Sequence, residues 1–281
     1  MYPLINIGPM QLPTYGLIGI SGFVIGVLVA VFVLAKVYGY PKDYTLYASI
    51  FAGIGLLAGA KLLYFITALP NFIKIYPELV EARADGIVVV SYLFGGFVFY
   101  GGFIGAALML LLFCKLFSLP FLPMVNIMAP VVPLIHGIGR IGCFFGGCCY
   151  GIEYHGFGAV HFHYNELVPE LSEVPRFPVQ LVEAGLNFIL FAFLMAYSRK
   201  ARKGGSVMGI YLICYTVIRF ALEFFRGDSV RGSILGVTTS QWISLLLIPI
   251  GIFLIIRKEK KNIEATTVSE DFISEKVSSE E

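Results

Sequence analysis

Residues 16–37 read GLIGISGFVIGVLVAVFVLAKV, an apolar run with a single charge at Lys36. A helix needs about 20 consecutive apolar residues to cross the roughly 30 Å hydrocarbon core of a bilayer. The run therefore predicts a membrane-spanning helix near the start of the sequence. Because no Lys or Arg lies between Met1 and Tyr15, the run lacks the basic region of a signal peptide, and we expect it to be retained.

The chain as a whole is also strongly apolar. It is 58% hydrophobic and 14% charged, with a mean hydropathy of +0.83, whereas a soluble domain averages about 25% charged residues. The net charge is only +2, and the basic residues lie in short loops, so nucleic acid is not an expected partner. The composition predicts an all-α polytopic membrane protein.

Seven apolar segments are candidate spans. They lie near 16–37, 45–69, 97–117, 121–145, 178–198, 207–226 and 237–256. The fourth is interrupted by Pro123, Pro130 and Pro133. Broken backbone at membrane depth is tolerated only where protein or a water-filled cavity covers it. Residues 123–151 are therefore a candidate functional region.

The basic residues predict the orientation of these spans. They flank alternate connections, at Lys36, Lys42, Lys115, 199–203 and 257–261. Cytoplasmic loops carry an excess of Lys and Arg, so we expect the N-terminus outside and the C-terminus inside. The membrane domain then covers 1–257. Its connection 146–177 is predicted to form a small extracytoplasmic cap, with strand-like pieces such as 158–163. The polar, acidic tail 258–281 is predicted to be cytoplasmic and disordered.

Charged residues inside the apolar segments are the first functional signal, because each costs about 2.5–3.5 kcal/mol at the centre of a span. Four stand out: Lys61, Arg140, Arg219 and Glu223. Within the sixth segment, Tyr215, Arg219, Glu223 and Arg226 recur at a spacing that places them on one helical face. Counting about 1.5 Å per residue from the inner end of that segment places Arg219 in the outer half of the bilayer. Arg140 lies near the outer end of its own segment.

Two interpretations of the arginines are open. In the first, Arg219 and Glu223 neutralise each other and Arg140 reaches outward to the membrane surface. In the second, both arginines hold a phosphate, for which the planar guanidinium is well suited. Gly137, Gly139 and Gly142 surround Arg140 and would let a backbone or a ligand approach closely, and we favour the phosphate site.

Residues 136–151, HGIGRIGCFFGGCCYG, combine these glycines with three cysteines. The stretch matches GxGxxG, but no βαβ unit surrounds it, which argues against a dinucleotide site. Cys143, Cys148 and Cys149 could bind a metal together with His136, His155, His161 or His163. They could also remain free thiols. We favour a disulfide from Cys143 to Cys148 or Cys149 on the oxidising side of the membrane, and expect neither a metal nor a cofactor.

The same stretch resembles the prolipoprotein diacylglyceryl transferase family. Its signature, Gly-Arg-x-Gly-Asn-Phe-x-Asn-Gly-Glu, corresponds to GRIGCFFGGC at 139–148. Further likenesses are IGP at 7–9 with YGL at 15–17, YGGFIG at 100–105, PRFPVQLVE at 175–183 and YTVIRFALEFFR at 215–226. The order and spacing of these five blocks identify the chain as a member of the family.

This resemblance implies a seven-span enzyme of the bacterial cytoplasmic (inner) membrane. It would transfer the diacylglyceryl group of phosphatidylglycerol to the lipobox cysteine of a prolipoprotein, the first step of lipoprotein maturation. A thioether forms and glycerol 1-phosphate leaves. By the same resemblance Arg140, Arg219 and Tyr100 are catalytic. The substrate-binding residues are Arg140 itself with Tyr15, Gly142, Gly151, Tyr215, Glu223 and Arg226.

Four departures from the family pattern fall at positions that matter for the chemistry. Tyr100 and Phe177 replace histidines, Cys143 replaces the first asparagine of the signature, and Cys148 replaces its glutamate. Tyrosine, with an ordinary pKa of about 10, is a poorer base near pH 7 than histidine, at about 6.5. Three hypotheses follow: an ordinary transferase; a paralogue with another acceptor or its own cysteine nucleophile; and a non-enzymatic phospholipid-binding membrane protein.

Overall fold

The computed structural model describes residues 4–7, 10–81, 85–86, 90, 92–93, 95–162, 171–200, 202, 204–227, 233–234 and 237–257. The predicted tail 258–281 and His163 lie outside these residues.

Helices make up most of the described chain. Its elements in order are β1 (Leu4–Ile7), β2 (Met10–Pro13), α1 (Thr14–Val29), a π-helical turn (Ala30–Leu34), α2 (Ala35–Tyr38), α3 (Lys42–Glu81), α4 (Phe99–Leu116), α5 (Phe121–Met128), α6 (Val131–Gly146), α7 (Val179–Tyr197), α8 (Ser206–Glu223), β3 (Ser233–Ile234), β4 (Val237–Thr238) and α9 (Thr239–Ile256). The strands form two antiparallel hairpins, β1 with β2 and β3 with β4.

The predicted number of spans is confirmed. Among the described residues, seven helical segments are long and apolar enough to cross a membrane: Thr14–Tyr38, Lys42–Glu81, Phe99–Leu116, Phe121–Gly146, Val179–Tyr197, Ser206–Glu223 and Thr239–Ile256. The protein is thus a polytopic, mainly helical membrane protein. Its predicted orientation stays a prediction.

The predicted end of the second span is wrong. The sequence suggested a connection from residue 70, but α3 continues through Pro70 and Pro77 to Glu81. Membrane helices tolerate proline because neighbouring groups and local adjustments satisfy the freed carbonyls. With 40 residues at about 1.5 Å each, α3 is about 60 Å long. It is therefore about twice as long as the hydrocarbon core is thick.

The predicted interruption of the fourth span is confirmed. α5 ends at Met128 and α6 begins at Val131, with Pro130 at the N-cap of α6. Proline suits a helix start because it has no N–H to leave unpaired and its φ is already helical. The other end of α6 is closed by Gly147, whose φ of 71° is a left-handed conformation that favours glycine.

The chain divides into two compact units, one formed by Met1–Lys42 with Leu122–Glu281 and the other by Asp43–Phe121. In the second unit, α3 and α4 cross through glycines. A Cβ atom on Gly59 would collide with the Gly101 carbonyl oxygen, and one on Gly55 with that of Gly105. Small residues four apart let two membrane helices approach closely. Lys61, also in this unit, has its Nζ 3.9 Å from the centroid of the Phe97 ring.

In the first unit, α6 packs between α1 and α7, and α8 packs against α7 and α9. Asn126 of α5 ties this bundle to the start of α8. Its buried amide nitrogen donates to the carbonyl oxygens of Arg202 and Gly204, and its oxygen accepts from the Val207 N–H at 3.1 Å.

Short extended segments between the helices form the predicted cap region. Single bridges join Gly151 to Arg226, and Glu153 and Val160 to Arg176. Of the strand-like piece expected at 158–163, Val160 is paired, exchanging two 3.0 Å backbone hydrogen bonds with Arg176. These bridges fix the backbone of Arg226 beside the end of α6. That the region lies outside the cell stays a prediction.

Candidate functional site

Arg140 on α6 forms an ion pair with Glu183 on α7. The distance from Arg140 Nη2 to Glu183 Oε1 is 3.0 Å, and the side chains are 11% and 1% exposed. Removing two charges from water is expensive even when they meet. An ion pair inside an apolar bundle is therefore a strong candidate for a functional group. The interpretation in which Arg140 reaches outward to the membrane surface is wrong, because Glu183 holds it inside.

Three further groups converge on Glu183. The Tyr215 hydroxyl donates to Glu183 Oε1 at 3.5 Å, and His136 Nε2 lies 3.6 Å from the same oxygen. Asn187, one turn further along α7, donates to the Glu183 backbone carbonyl at 2.8 Å. Residues from two neighbouring helices, α6 and α8, therefore hold this carboxylate.

Sequence reasoning missed Glu183 as a site residue, although the signal was available. It lies within the predicted span 178–198 and meets the same criterion of insertion cost as Arg140. Gln180, Glu183 and Asn187 also share one face of α7 by their spacing, and all three are buried.

Arg219 on α8 pairs with Glu223 one turn away, as the spacing of four residues suggested. The same Nη2 atom also donates to the Ser240 hydroxyl in the first turn of α9, at 3.2 Å. Arg219 is buried. The pair is thus real, but it leaves other donor atoms of the guanidinium available.

Both arginines retain buried donors. Arg140 Nε and Arg219 Nη1 are shielded from solvent and have no hydrogen-bond partner among the described residues. Leaving a buried polar group unpaired costs about 1–3 kcal/mol, and more for a charged one. An anion with several oxygen atoms would satisfy such donors, which is the chemistry expected of the predicted phosphate site.

The balance of charge also favours an anion. Glu183 lies within electrostatic reach of Arg140, Arg219 and Arg226, and Glu223 is bound to Arg219. We call these five residues the charged cluster. Its three arginines and two glutamates leave one excess positive charge, which matches the single negative charge of a phosphodiester.

The glycines around Arg140 differ in the space available for a Cβ atom at each position. A Cβ atom on Gly137 would press on the Phe188 ring, and one on Gly142 would lie 3.4 Å from Tyr15 and Ile18. Gly139 alone of the three has open space at that position. The Phe188 ring thus occupies the space beside Gly137, and a ligand role for Gly139 and Gly142 stays a prediction. Tyr15, half exposed, lies over the Gly142 side of α6, and its substrate role stays a prediction.

Gly151 belongs to the cap. A Cβ atom there would collide with the Phe177 carbonyl oxygen, and Arg176 Nη1 donates to the Gly151 carbonyl at 3.4 Å. Gly151 thus allows three backbone segments to meet beside Arg226. A direct contact between Gly151 and substrate stays a prediction.

The positions that depart from the family pattern fall in different places. Tyr100, on the first turn of α4, belongs to the second compact unit, and its catalytic role stays a prediction. Phe177 belongs to the first unit, where its ring packs against those of Tyr154 and Phe225 at 5.4 and 5.1 Å between centroids.

The three cysteines come together at the end of α6. Their sulfur atoms lie within 4.8 Å of one another, and none of the three is joined in a disulfide. The proposed disulfide is not formed in this structure and stays a prediction. Hydrogen bonds from the thiols of Cys143 and Cys148 lower the pKa of Cys149, and the positive charges of Arg140 and Arg226 lower it further.

The fold and site together define a polytopic membrane protein with a buried, arginine-rich site suited to an anionic group. The family model described as prolipoprotein diacylglyceryl transferase matches residues 3–257. The chain belongs to this family.

Curated relatives agree with that assignment. The chain is 39% identical over 232 residues to phosphatidylglycerol–prolipoprotein diacylglyceryl transferase of Clostridium tetani, covering 82% of this chain and 88% of the relative. It is 34% identical over 216 residues to transferase 2 of the same name from Clostridium perfringens, covering 77% and 79%. The protein of this name from Nitrosomonas europaea is 31% identical over 257 residues, covering 89% and 87%.

Proposed function

We infer that this protein transfers the diacylglyceryl group of phosphatidylglycerol to the lipobox cysteine of a prolipoprotein, releasing glycerol 1-phosphate. The observation that carries this inference is the family match over residues 3–257. The names of the curated relatives supply the donor and the acceptor. We further propose that the protein works in the bacterial cytoplasmic (inner) membrane.

The charge changes of this reaction explain the use of arginine. The acceptor thiol loses its proton, its sulfur attacks the glyceryl carbon, and the carbon–oxygen bond to phosphate breaks. The leaving oxygen keeps the electron pair, so the phosphate changes from a monoanion to a dianion. Fixed cations in a site shielded from water stabilise that growing charge better than water does.

In this proposal Arg140 and Arg219 bind the phosphate through the donors that protein groups do not satisfy. Glu183 and Glu223 hold the two guanidinium groups in place. Tyr215 and His136 in turn fix Glu183. Because these supports lie on packed helices, the site is arranged before the lipid enters, which reduces the reorganisation needed in the transition state.

The paralogue remains the second candidate, because three thiols lie beside Arg140. One of them could itself accept the diacylglyceryl group, or the protein could act on a different acceptor. Either reaction would use the same lipid and the same arginines.

Mass spectrometry separates these candidates. The full protein in detergent is incubated with phosphatidylglycerol and a peptide carrying a lipobox cysteine. We expect a diacylglyceryl adduct on the peptide. An adduct on Cys143, Cys148 or Cys149 that is never passed to the peptide would favour the paralogue.

A substitution of Arg140 tests the phosphate site in the same assay. Because lysine lacks the planar fork, Arg140→Lys should reduce the rate about 100-fold, as expected for loss of one transition-state donor. Arg199→Lys, in an exposed connection, is the matched control and should leave the rate unchanged. An undiminished rate in Arg140→Lys would contradict the assignment.

A further inference from the structure

The three-cysteine cluster of Cys143, Cys148 and Cys149 has no part in the transfer to a prolipoprotein as described above. Its sulfur atoms lie within 4.8 Å of one another. Three thiolates bound to one tetrahedral zinc ion at about 2.3 Å would be about 3.8 Å apart. The sulfur atoms would have to move about 1 Å closer together to bind zinc, and rotation of the cysteine side chains can supply this movement.

The backbone conformation already brings the three cysteine sulfur atoms toward one point. The Cys148 N–H donates to the Cys143 carbonyl at 3.1 Å, which closes the turn after α6. Cys149 has a φ of 59°, a left-handed conformation that is uncommon for residues other than glycine. This conformation lets two consecutive cysteines direct their sulfur atoms toward Cys143. Gln180 Nε2 donates to the Cys148 carbonyl at 3.0 Å and fixes the turn from α7.

The three cysteine side chains differ in their exposure. Cys143 is buried, Cys149 is half-buried and Cys148 is exposed. The cluster is therefore closed on one side and open on the other. Zinc sites that carry out chemistry have three protein ligands and an open fourth position, whereas structural sites are closed by four.

The surrounding charge suits three thiolates. A zinc ion with three thiolates carries one negative charge. The guanidinium groups of Arg140 and Arg226 lie close enough to act electrostatically on Cys149. They would stabilise this anionic complex, which would then share the excess positive charge of the charged cluster with the phosphodiester. Thiolate is also a soft ligand that favours zinc over magnesium or calcium.

We propose that Cys143, Cys148 and Cys149 bind a zinc ion, in place of the disulfide predicted from the sequence, and that the fourth position of this ion receives the acceptor thiol. The second half of this proposal rests on the proposed function. A thiol that coordinates zinc does so as the thiolate, and the thiolate is the nucleophile. The acceptor would replace a water molecule on zinc and release its proton to solvent. Its sulfur would then form the carbon–sulfur bond as glycerol 1-phosphate leaves with the electron pair of the broken carbon–oxygen bond.

This arrangement would explain why cysteines stand at two positions where the family pattern has asparagine and glutamate. Activation of the acceptor thiol would pass from a protein base to a metal ion. The phosphate-binding arginines would keep their place beside it.

Metal binding is tested first, without reference to activity. The full protein is purified in detergent under reducing conditions and titrated with Zn²⁺ and with Co²⁺. We expect one metal ion per chain, with the near-ultraviolet charge-transfer absorption of cobalt thiolates. Cys149→Ser should lose both signals. Cys214→Ser, which changes a cysteine outside the cluster, is the matched control and should keep both. Equal binding by the wild type and Cys149→Ser would overturn the proposal.

The fourth ligand is tested with the cobalt-loaded protein. A lipobox peptide with cysteine should increase the charge-transfer absorption, whereas the same peptide with serine should leave it unchanged. An unchanged spectrum with the cysteine peptide would overturn the assignment of the fourth position.

Transfer activity then separates failure of this proposal from failure of the proposed function. If metal-free protein and Cys149→Ser transfer the diacylglyceryl group as fast as the zinc-loaded wild type, the catalytic zinc is refuted and the proposed function stands. If the cobalt spectrum responds to the peptide but no transfer occurs, the metal site stands and the proposed function fails.

Discussion

At the scale of single residues, Glu183 determines how Arg140 can exist inside an apolar bundle. It accepts from Arg140 at 3.0 Å and from Tyr215 at 3.5 Å, while its backbone is bound by Asn187. The arginine side chain therefore has one defined position, and its remaining donor can face a ligand. A glutamate that positions a cation in this way need not touch the substrate.

Replacement of Glu183 by glutamine tests this positioning role. Glu183→Gln leaves the Arg140 charge buried without its counter-ion, which typically destabilises a protein by about 3–5 kcal/mol. We expect a marked fall in unfolding temperature, measured by thermal denaturation in detergent, together with reduced transfer.

Glu153→Gln provides the comparison, because Glu153 is 58% exposed and pairs with His155, which is 71% exposed. Exposed pairs contribute at most about 1 kcal/mol, so this variant should unfold like the wild type. If both variants unfold at the same temperature, the Arg140–Glu183 pair does not have the assigned role.

Individual residues of the site also show which contacts the sequence could predict and which it could not. The Arg219–Glu223 pair follows from a spacing of four within one helix, which fixes the neighbours in advance. The partner of Arg140 lies on another helix, and only packing of α6 against α7 brings Glu183 to it. The proximity of Cys143 to Cys148 and Cys149 depends on the turn at Gly147 and the left-handed Cys149, which hydropathy does not encode.

At the scale of elements, the broken span α5–α6 needs a polar anchor. Asn126 satisfies two carbonyls and one N–H at the start of α8. Asn126→Leu would remove these three buried hydrogen bonds, and we expect a loss of about 2–4 kcal/mol from the free energy of unfolding. Met124→Leu, a nearby buried change of similar volume, should cost less than about 1.5 kcal/mol. Chemical denaturation would compare them, and equal stability of the two variants would contradict the anchor.

The glycine crossing of α3 and α4 makes a second prediction at this scale. A Cβ atom on Gly59 would collide with backbone at Gly101, so Gly59→Ala should force the helices apart and lower the unfolding temperature. Gly185→Ala on α7 is the matched control, because nothing lies within 4 Å of a Cβ atom there. It should be neutral or stabilising, since alanine favours helix over glycine. If Gly59→Ala left the unfolding temperature unchanged, the crossing would tolerate a wider separation of α3 and α4.

Most elements were predictable because apolar runs of membrane length have few alternatives. The seven spans and the break at Pro130 follow from composition and from proline. The end of α3 does not, because Pro70 and Pro77 normally stop helices in water. Inside a membrane protein the same residues only modify the helix.

At the scale of the whole molecule, the basic residues predict which face of the membrane each connection occupies. With seven spans, Lys36, Lys42, Lys115 and the runs at 199–203 and 257–261 all fall on one side. The cap that contains Gly151, together with the bridged Arg226 and the open side of the cysteine cluster, falls on the other. A prolipoprotein acceptor would be expected to present its cysteine there.

Reporter insertions test this orientation. Alkaline phosphatase, which is active only after export, should be active when inserted at the fully exposed Phe157 of the cap and inactive when fused after Arg257. Green fluorescent protein, which folds in the cytoplasm, should show the reverse pattern at the same two positions. Positive loops retained in the cytoplasm are the physical reason. Replacing Arg199, Lys200, Arg202 and Lys203 by glutamine should therefore reduce the difference in reporter activity between the two positions. The opposite pattern in the unaltered chain would contradict the orientation and place the charged cluster and the cysteines toward the cytoplasm.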